Sequence, residues 1–175
     1  MAIEIDKRPF KIILFQPEIA QNLGTILRLC TCFGVSLDVI EPCGFPFSSK
    51  ALRRAMMDYG ELNSITRHIS FQKYHDGKML SDEKSRVILL TTKGTECLWD
   101  FNFCHGDNLI FGNEGHGVSE EVAENADAKV FIPMPGKGRC LNIAVSVGIS
   151  VSEVSRQLRN KKISFHYKQS SFEPS

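Results

Sequence analysis

Short apolar runs recur along this chain, and each ends in glycine, proline or small polar residues. They are FKIILF at 10–15, SLDVI at Ser36–Ile40, RVILL at 86–90, NLIF at Asn108–Phe111 and a shorter run at 130–132. Runs without strict polar alternation suit strands that are covered on both faces. Between them lie stretches with helical spacing. One is Ala20–Phe33, after a turn at Pro17; another repeats apolar residues at Leu141, Ala144, Val145, Val147, Val151, Val154 and Leu158. Ser119 before Glu120 and Glu121 reads as an N-cap with first-turn acids. Ser48 or Ser49 caps a short helix through Arg53, Arg54 and Met57. This alternation predicts an α/β fold, a mainly parallel sheet with helices on both faces.

At 175 residues the chain has the size of one domain. Its hydrophobic fraction of 42% and charged fraction of 23% exclude a disordered chain. No apolar run nears the ~18 residues that cross a bilayer. The longest candidate, 143–151, is broken by Ser146, Gly148 and Ser150. Glu4 and Asp6 stand where a signal peptide carries basic and then apolar residues. The expectation is a cytoplasmic protein without a membrane partner, one domain over 1–168 followed by a polar tail over 169–175.

Six cysteines are too few for a disulfide scaffold, and no C-x-x-C pair offers a zinc or redox motif. Reduced thiols are expected, and no metal. Lys+Arg 21 against Asp+Glu 20 leaves no global field that announces a nucleic-acid partner. The basic residues nonetheless cluster: Lys50, Arg53 and Arg54; Arg67 with His68; and Arg156, Arg159, Lys161, Lys162 and Lys168. Each cluster is a solvated face or a phosphate-binding surface.

In open α/β sheets, ligands sit at loops that leave the carboxyl ends of strands. Three such loops are rich in glycine or polar residues: Thr91 to Gly94, Gly112 to Gly117, and Pro133 to Arg139. None contains a P-loop, and Gly115-x-Gly117 is not completed to a dinucleotide fingerprint.

Three segments taken together are more specific. Asn22-Leu23-Gly24 through Arg28 gives N-x-G-x-x-x-R at the opening of a helix. Phe111-Gly112-Asn113-Glu114-Gly115-His116-Gly117 follows a strand, and Ile132-Pro133-Met134-Pro135 leads through Arg139-Cys140-Leu141-Asn142 into the last helix. In this order they resemble the signature motifs of the SpoU branch of the SPOUT RNA 2′-O-methyltransferases. Glu41-Pro42-Cys43-Gly44-Phe45, Leu52-Arg53-Arg54-Ala55, Asp58-Tyr59 and Leu90 to Thr95 further resemble the TrmL (YibK-like) tRNA methyltransferases. The resemblance runs from about Phe10 to Leu158. Cys140 departs from it, standing where the family usually has serine, and Asn113 to His116 is closer to the broader SpoU motif.

The resemblance implies a C-terminal deep trefoil knot that binds S-adenosylmethionine, and a homodimer. It places the cofactor against Leu90, Gly112, Ile132 and Cys140, with Thr91, Glu114 and Leu141 nearby. Leu90, Ile132 and Leu141 would sandwich an adenine; without the resemblance they read as core. The implied catalytic residues are Asn22, Arg28, Glu114 and Asn142. A guanidinium stays charged in proteins, so Arg28 suits a clamp on the target phosphate or hydroxyl better than a simple base. Asn142 and Glu114 would hold the loop and orient the substrate.

The implied substrate is tRNA, at the wobble cytidine or uridine, because an anticodon loop exposes an unpaired nucleotide. Arg53, Arg54, Arg67, Arg156, Arg159, Lys161 and Lys162 would meet backbone phosphates, which position without specifying. Competing readings are methylation of another tRNA or rRNA nucleotide, a SPOUT-like RNA-binding module without catalysis, and a thiol hydrolase using Cys140 with His116. The hydrolase lacks an acid to orient the histidine and a nucleophile-elbow pattern. Position 140 precedes a helix, where backbone N–H groups bind polar ligand atoms whatever the side chain. Cys140→Ser is therefore expected to keep near-normal cofactor affinity and methyl transfer. A serine variant that binds cofactor normally but transfers no methyl group would contradict this.

Overall fold

A computed structural model describes residues 9–47, 50, 54, 65–80 and 85–160. The strands are β1 (Lys11–Phe15), β2 (Ser36–Ile40), β3 (Ile65–His68), β4 (Val87–Leu90), β5 (Glu96–Cys97), β6 (Asn108–Phe111) and β7 (Ala128–Phe131). The helices among the described residues are α1 (Ala20–Phe33), α2 (Phe71–Leu80), α3 (Glu120–Glu124) and α4 (Ile143–Asn160). All strand pairs are parallel, in one sheet ordered β3-β2-β1-β6-β4-β7-β5.

Side chains alternate across a strand, so a run apolar at every position must feed two cores. Ile12 and Leu14 of β1, Leu37 and Val39 of β2, and Leu109 and Phe111 of β6 pack with α1 and α4 in one core. Residues of the other parity, Ile13, Phe15, Ile40, Leu89 and Ile110, join Phe71 and Tyr74 of α2 and Val122 of α3 in a second. Helices thus cover both faces, as expected. Helix α1 ends at Gly34, whose φ of 63° is left-handed and favours glycine. Ser119 caps α3, its hydroxyl accepting from Val122 N–H at 3.4 Å.

Other expectations shift. β7 begins at Ala128, two residues before the apolar run, because Lys129 pairs with Leu89 and its carbonyl also accepts from Thr95 N–H. Ile132 consequently lies in the following loop. Helix α4 starts at Ile143, because Asn142 Oδ1 accepts from Ala144 N–H at 2.8 Å and caps the first turn. Leu141 lies before the helix, and Val145 is 50% exposed, so neither belongs to the core stripe. β3, α2 and β5 were not expected. The helix expected to follow Ser48 or Ser49 lies mostly outside the described residues, as do Arg53, Lys161, Lys162 and the 169–175 tail.

The side-chain amide of Gln157 ties α4 to the loop after β5. Its Nε2 donates to Phe101 O at 2.9 Å, and its Oε1 accepts from Phe103 N–H at 3.0 Å. At a net ~1 kcal/mol per hydrogen bond, Gln157→Ala is expected to cost about 2 kcal/mol in urea unfolding. A loss below about 0.5 kcal/mol would show that the amide does not anchor the helix.

Candidate functional site

The carboxyl ends of β4, β6 and β7 converge on a cleft of ≈ 470 Å³, closed by the first turns of α1 and α4. Its walls are mainly apolar, with Leu90, Phe111, Ile132, Met134 and Leu141 among them. Of the residues expected at the site, Asn22, Leu90, Thr91, Gly112, Glu114, Ile132, Cys140, Leu141 and Asn142 all line it. They come from five separate segments. Arg28 does not line it: six residues beyond Asn22 on α1, it lies on a different face of the helix and is exposed.

One hydrogen-bonded chain joins the three walls. Glu114 Oε2 accepts from Glu18 N–H at 2.9 Å, and Oε1 accepts from Asn22 Nδ2 at 2.9 Å. Asn22 Oδ1 accepts from Asn142 Nδ2 at 3.1 Å, and Asn142 Oδ1 caps α4. Asn22 is 9% exposed, with both ends of its amide engaged. Glu114 and Asn142 form the two ends of this chain of bonds, and Asn22 is its middle link.

The turn that carries Glu114 is built by Asn113, which the sequence reading passed over. Asn113 Oδ1 accepts from Gly115 N–H and His116 N–H at 2.8 and 2.9 Å, while its Nδ2 donates to Gln16 O at 2.7 Å. The signal was an asparagine among glycines, the usual author of such a turn. Gly112 backs directly against Gly117: a Cβ at 112 would lie 2.7 Å from Gly117 C. Glycine is required there because two backbone segments touch.

Four of the expected RNA-facing cations, Arg54, Arg67, Arg156 and Arg159, are among the described residues. Arg67 pairs with Glu41 and lies over the Phe47 ring, 4.1 Å from its centroid. Arg156 makes two hydrogen bonds to Glu153, at 2.8 and 2.7 Å. The guanidinium beside it holds the Glu153 carboxyl below the usual range. Arg54 and Arg159 are exposed. Burial pushes the Cys43 thiol up to about 12, with Glu41 adding to it, and burial does the same for Cys30. Cys140 and His116 face different hollows, which removes the basis for a Cys–His hydrolase. Among the described residues, no cluster of three or more His, Cys, Asp or Glu is placed to hold a metal ion. None of the described helices is long and apolar enough to cross a membrane.

A doubly covered parallel sheet with its cleft at the strands' carboxyl ends defines an α/β ligand-binding protein. The chain belongs to the SpoU rRNA Methylase family, whose profile matches residues 9–152. A relative from Beijerinckia indica subsp. indica, named tRNA (cytidine(34)-2′-O)-methyltransferase, is 42% identical over 84% of this chain and 91% of its own. A solved chain from work on "the 2-OH methylation of C/U34 on tRNA" is 36% identical, with TM-score 0.80 over 88% of this chain and 99% of that one. The SpoU methyltransferase AviRb from Streptomyces viridochromogenes, in complex with the cofactor AdoMet, shares the fold. It is 24% identical, with TM-score 0.74 over 91% of this chain and 63% of that one.

Gly112→Ala is expected to push the Glu114 turn out of place and weaken ligand binding at the cleft at least about tenfold by calorimetry, since backbone cannot move aside for a Cβ. Unchanged affinity would mean that the turn does not shape the cleft.

Proposed function

We propose that this chain transfers a methyl group from S-adenosylmethionine to the ribose 2′-hydroxyl of the wobble nucleotide, cytidine or uridine 34, of tRNA. The observation that carries this reading is the cleft locked by Glu114 between α1 and α4. Its volume suits a ligand of this size. Leu90, Ile132 and Leu141 offer apolar walls for an adenine, and Gly112 lets backbone approach. Glu114, the sole charged side chain in the described lining, complements a sulfonium cation. The activities for which these relatives are named support the same substrate and position.

When bound, S-adenosylmethionine supplies a methyl group on a cationic sulfur. The residues present this site to an RNA hydroxyl in line, and catalysis rests on positioning. The titratable side chains in the described lining are Glu114 and Cys140, and both oxygens of Glu114 are held by α1. Neither is arranged as a base for the ribose hydroxyl. The hydroxyl proton therefore passes to solvent, and Arg28 in our reading acts as an electrostatic clamp that steadies the developing alkoxide, reaching from one protomer into its partner's cleft. Two features support a dimer: Arg28 is exposed outside its own cleft, and Ile19, Phe33 and Val145 present exposed apolar surface on or beside α1 and α4. The trefoil knot belongs to the same proposal. Its support is the strand order β6-β4-β7 and the return of the chain from β7 to pack α4 beside α1.

Incubation with labelled S-adenosylmethionine and tRNA, followed by nucleoside mass spectrometry, is expected to yield 2′-O-methylcytidine or 2′-O-methyluridine at position 34 only. Modification elsewhere favours the alternative targets, and no cofactor binding at millimolar ligand would overturn the reading. Mixing Arg28→Ala with Gly112→Ala protomers is expected to restore roughly a quarter of wild-type activity, because half the dimers carry one competent site. No restoration would place Arg28 in its own chain's site.

A further inference from the structure

Across the 113–117 turn from the cofactor cleft lies a second hollow, of ≈ 520 Å³. Asn113, Gly117 and Val118 line both. The hollow opens at the carboxyl ends of β1, β2 and β3. Phe71 lies buried within it, and Ile69 at its rim is 73% exposed.

Gln16 lines this hollow in a conformation that a residue with a Cβ rarely takes, φ 49°. Two hydrogen bonds hold it there. Its N–H donates to Ile40 O at 2.8 Å, and its carbonyl accepts from Asn113 Nδ2 at 2.7 Å. The second bond connects Gln16 to the turn that bears Glu114. Strain over-determined in this way concentrates at functional sites.

Charge decides what enters. Glu41 and Glu121 line the hollow, and no lysine or arginine is among its described lining residues. His116 is the one side chain in the described lining that can carry a positive charge, so the hollow is poorly matched to a phosphate. An uncharged planar group with donors and acceptors on its edge is accepted, packing against the exposed side chain of Ile69. Arg67, paired with Glu41 and stacked on Phe47, stands just outside to meet the neighbouring backbone.

We propose that this hollow receives the base of the nucleotide whose ribose faces the cofactor cleft, with Gln16 as the specificity-determining residue. The inference rests on the methyltransferase reading above. A glutamine amide offers both a donor and an acceptor, so it pairs with the edge of cytosine or of uracil. Glu41 accepts only, so at the 4-position of the base it suits the amino group of cytosine and repels the O4 of uracil. Without the Gln16 amide, Glu41 still suits the 4-amino group of cytosine and still repels the O4 of uracil.

The test uses the full-length protein and two tRNA transcripts that differ only by cytidine or uridine at the acceptor position. Gln16→Gly removes the amide and suits the backbone angle. Its kcat/KM is expected to fall at least about tenfold on the uridine transcript and no more than about twofold on the cytidine one. Ile69→Ser, on an exposed side chain, is expected to raise KM for both transcripts about fivefold. Both variants should bind S-adenosylmethionine within about twofold of wild type. A cytidine-to-uridine ratio unchanged in Gln16→Gly, or an unchanged KM in Ile69→Ser, overturns the base pocket while wild-type activity upholds the enzyme. A wild-type protein that binds S-adenosylmethionine but methylates neither transcript overturns the enzymatic reading, and the base pocket with it.

Discussion

The carboxylate of Glu114 is the point where three distant parts of this chain meet. It reaches from the turn after β6 to the N-terminal end of α1, taking one donor from the backbone at Glu18 and one from the side chain of Asn22. Asn22 then passes the connection to Asn142, which caps α4. Charge-assisted hydrogen bonds of this kind are among the stronger ones, and losing one partner leaves the rest poorly satisfied. The cleft is therefore a consequence of the lock: its three walls stand where the chain of bonds holds them.

The sheet supplies the frame for this lock. Parallel strands bring all their carboxyl ends to one edge, and crossing connections put α1 and α4 on one face with α2 and α3 on the other. The two hollows then fall on either side of a single turn, the one organised by Asn113. Gly112 completes the arrangement by letting that turn lie against the strand end. Two of the cations expected to face RNA, by contrast, are already engaged: Arg67 by Glu41 and Arg156 by Glu153. Those side chains reach phosphates only by sharing or exchanging partners.

Much of this frame was legible in the sequence. The strands with unbroken apolar runs and the helix at Ala20–Phe33 stood out, because burial on two faces or along one stripe leaves a clear pattern. Helix α2 escaped because it buries only Phe71 and Tyr74 and carries Gly77 in its middle. β5 is two residues long, too short for any period. At the site, the motif residues were legible as a group. Their connections were not, because Asn22 and Glu114 lie 92 residues apart and Asn22 and Asn142 lie 120 apart. Periodicity is local, and it also placed Leu141 inside a helix whose true start is set by the Asn142 cap. Arg28 was grouped with Asn22 by the N-x-G-x-x-x-R motif resemblance; six residues along the helix set it on another face of α1.

The central claim is that Asn22 and Glu114 act as one unit in shaping the cofactor cleft. A double-mutant cycle read by S-adenosylmethionine calorimetry tests it most directly. Asn22→Ala and Glu114→Ala are each expected to weaken binding about tenfold, and the double variant well short of about a hundredfold, because both remove the bond they share while the Glu18 and Asn142 bonds are lost in one variant each. Additive losses, reaching about a hundredfold in the double variant, would show that the two residues act independently and would contradict the account.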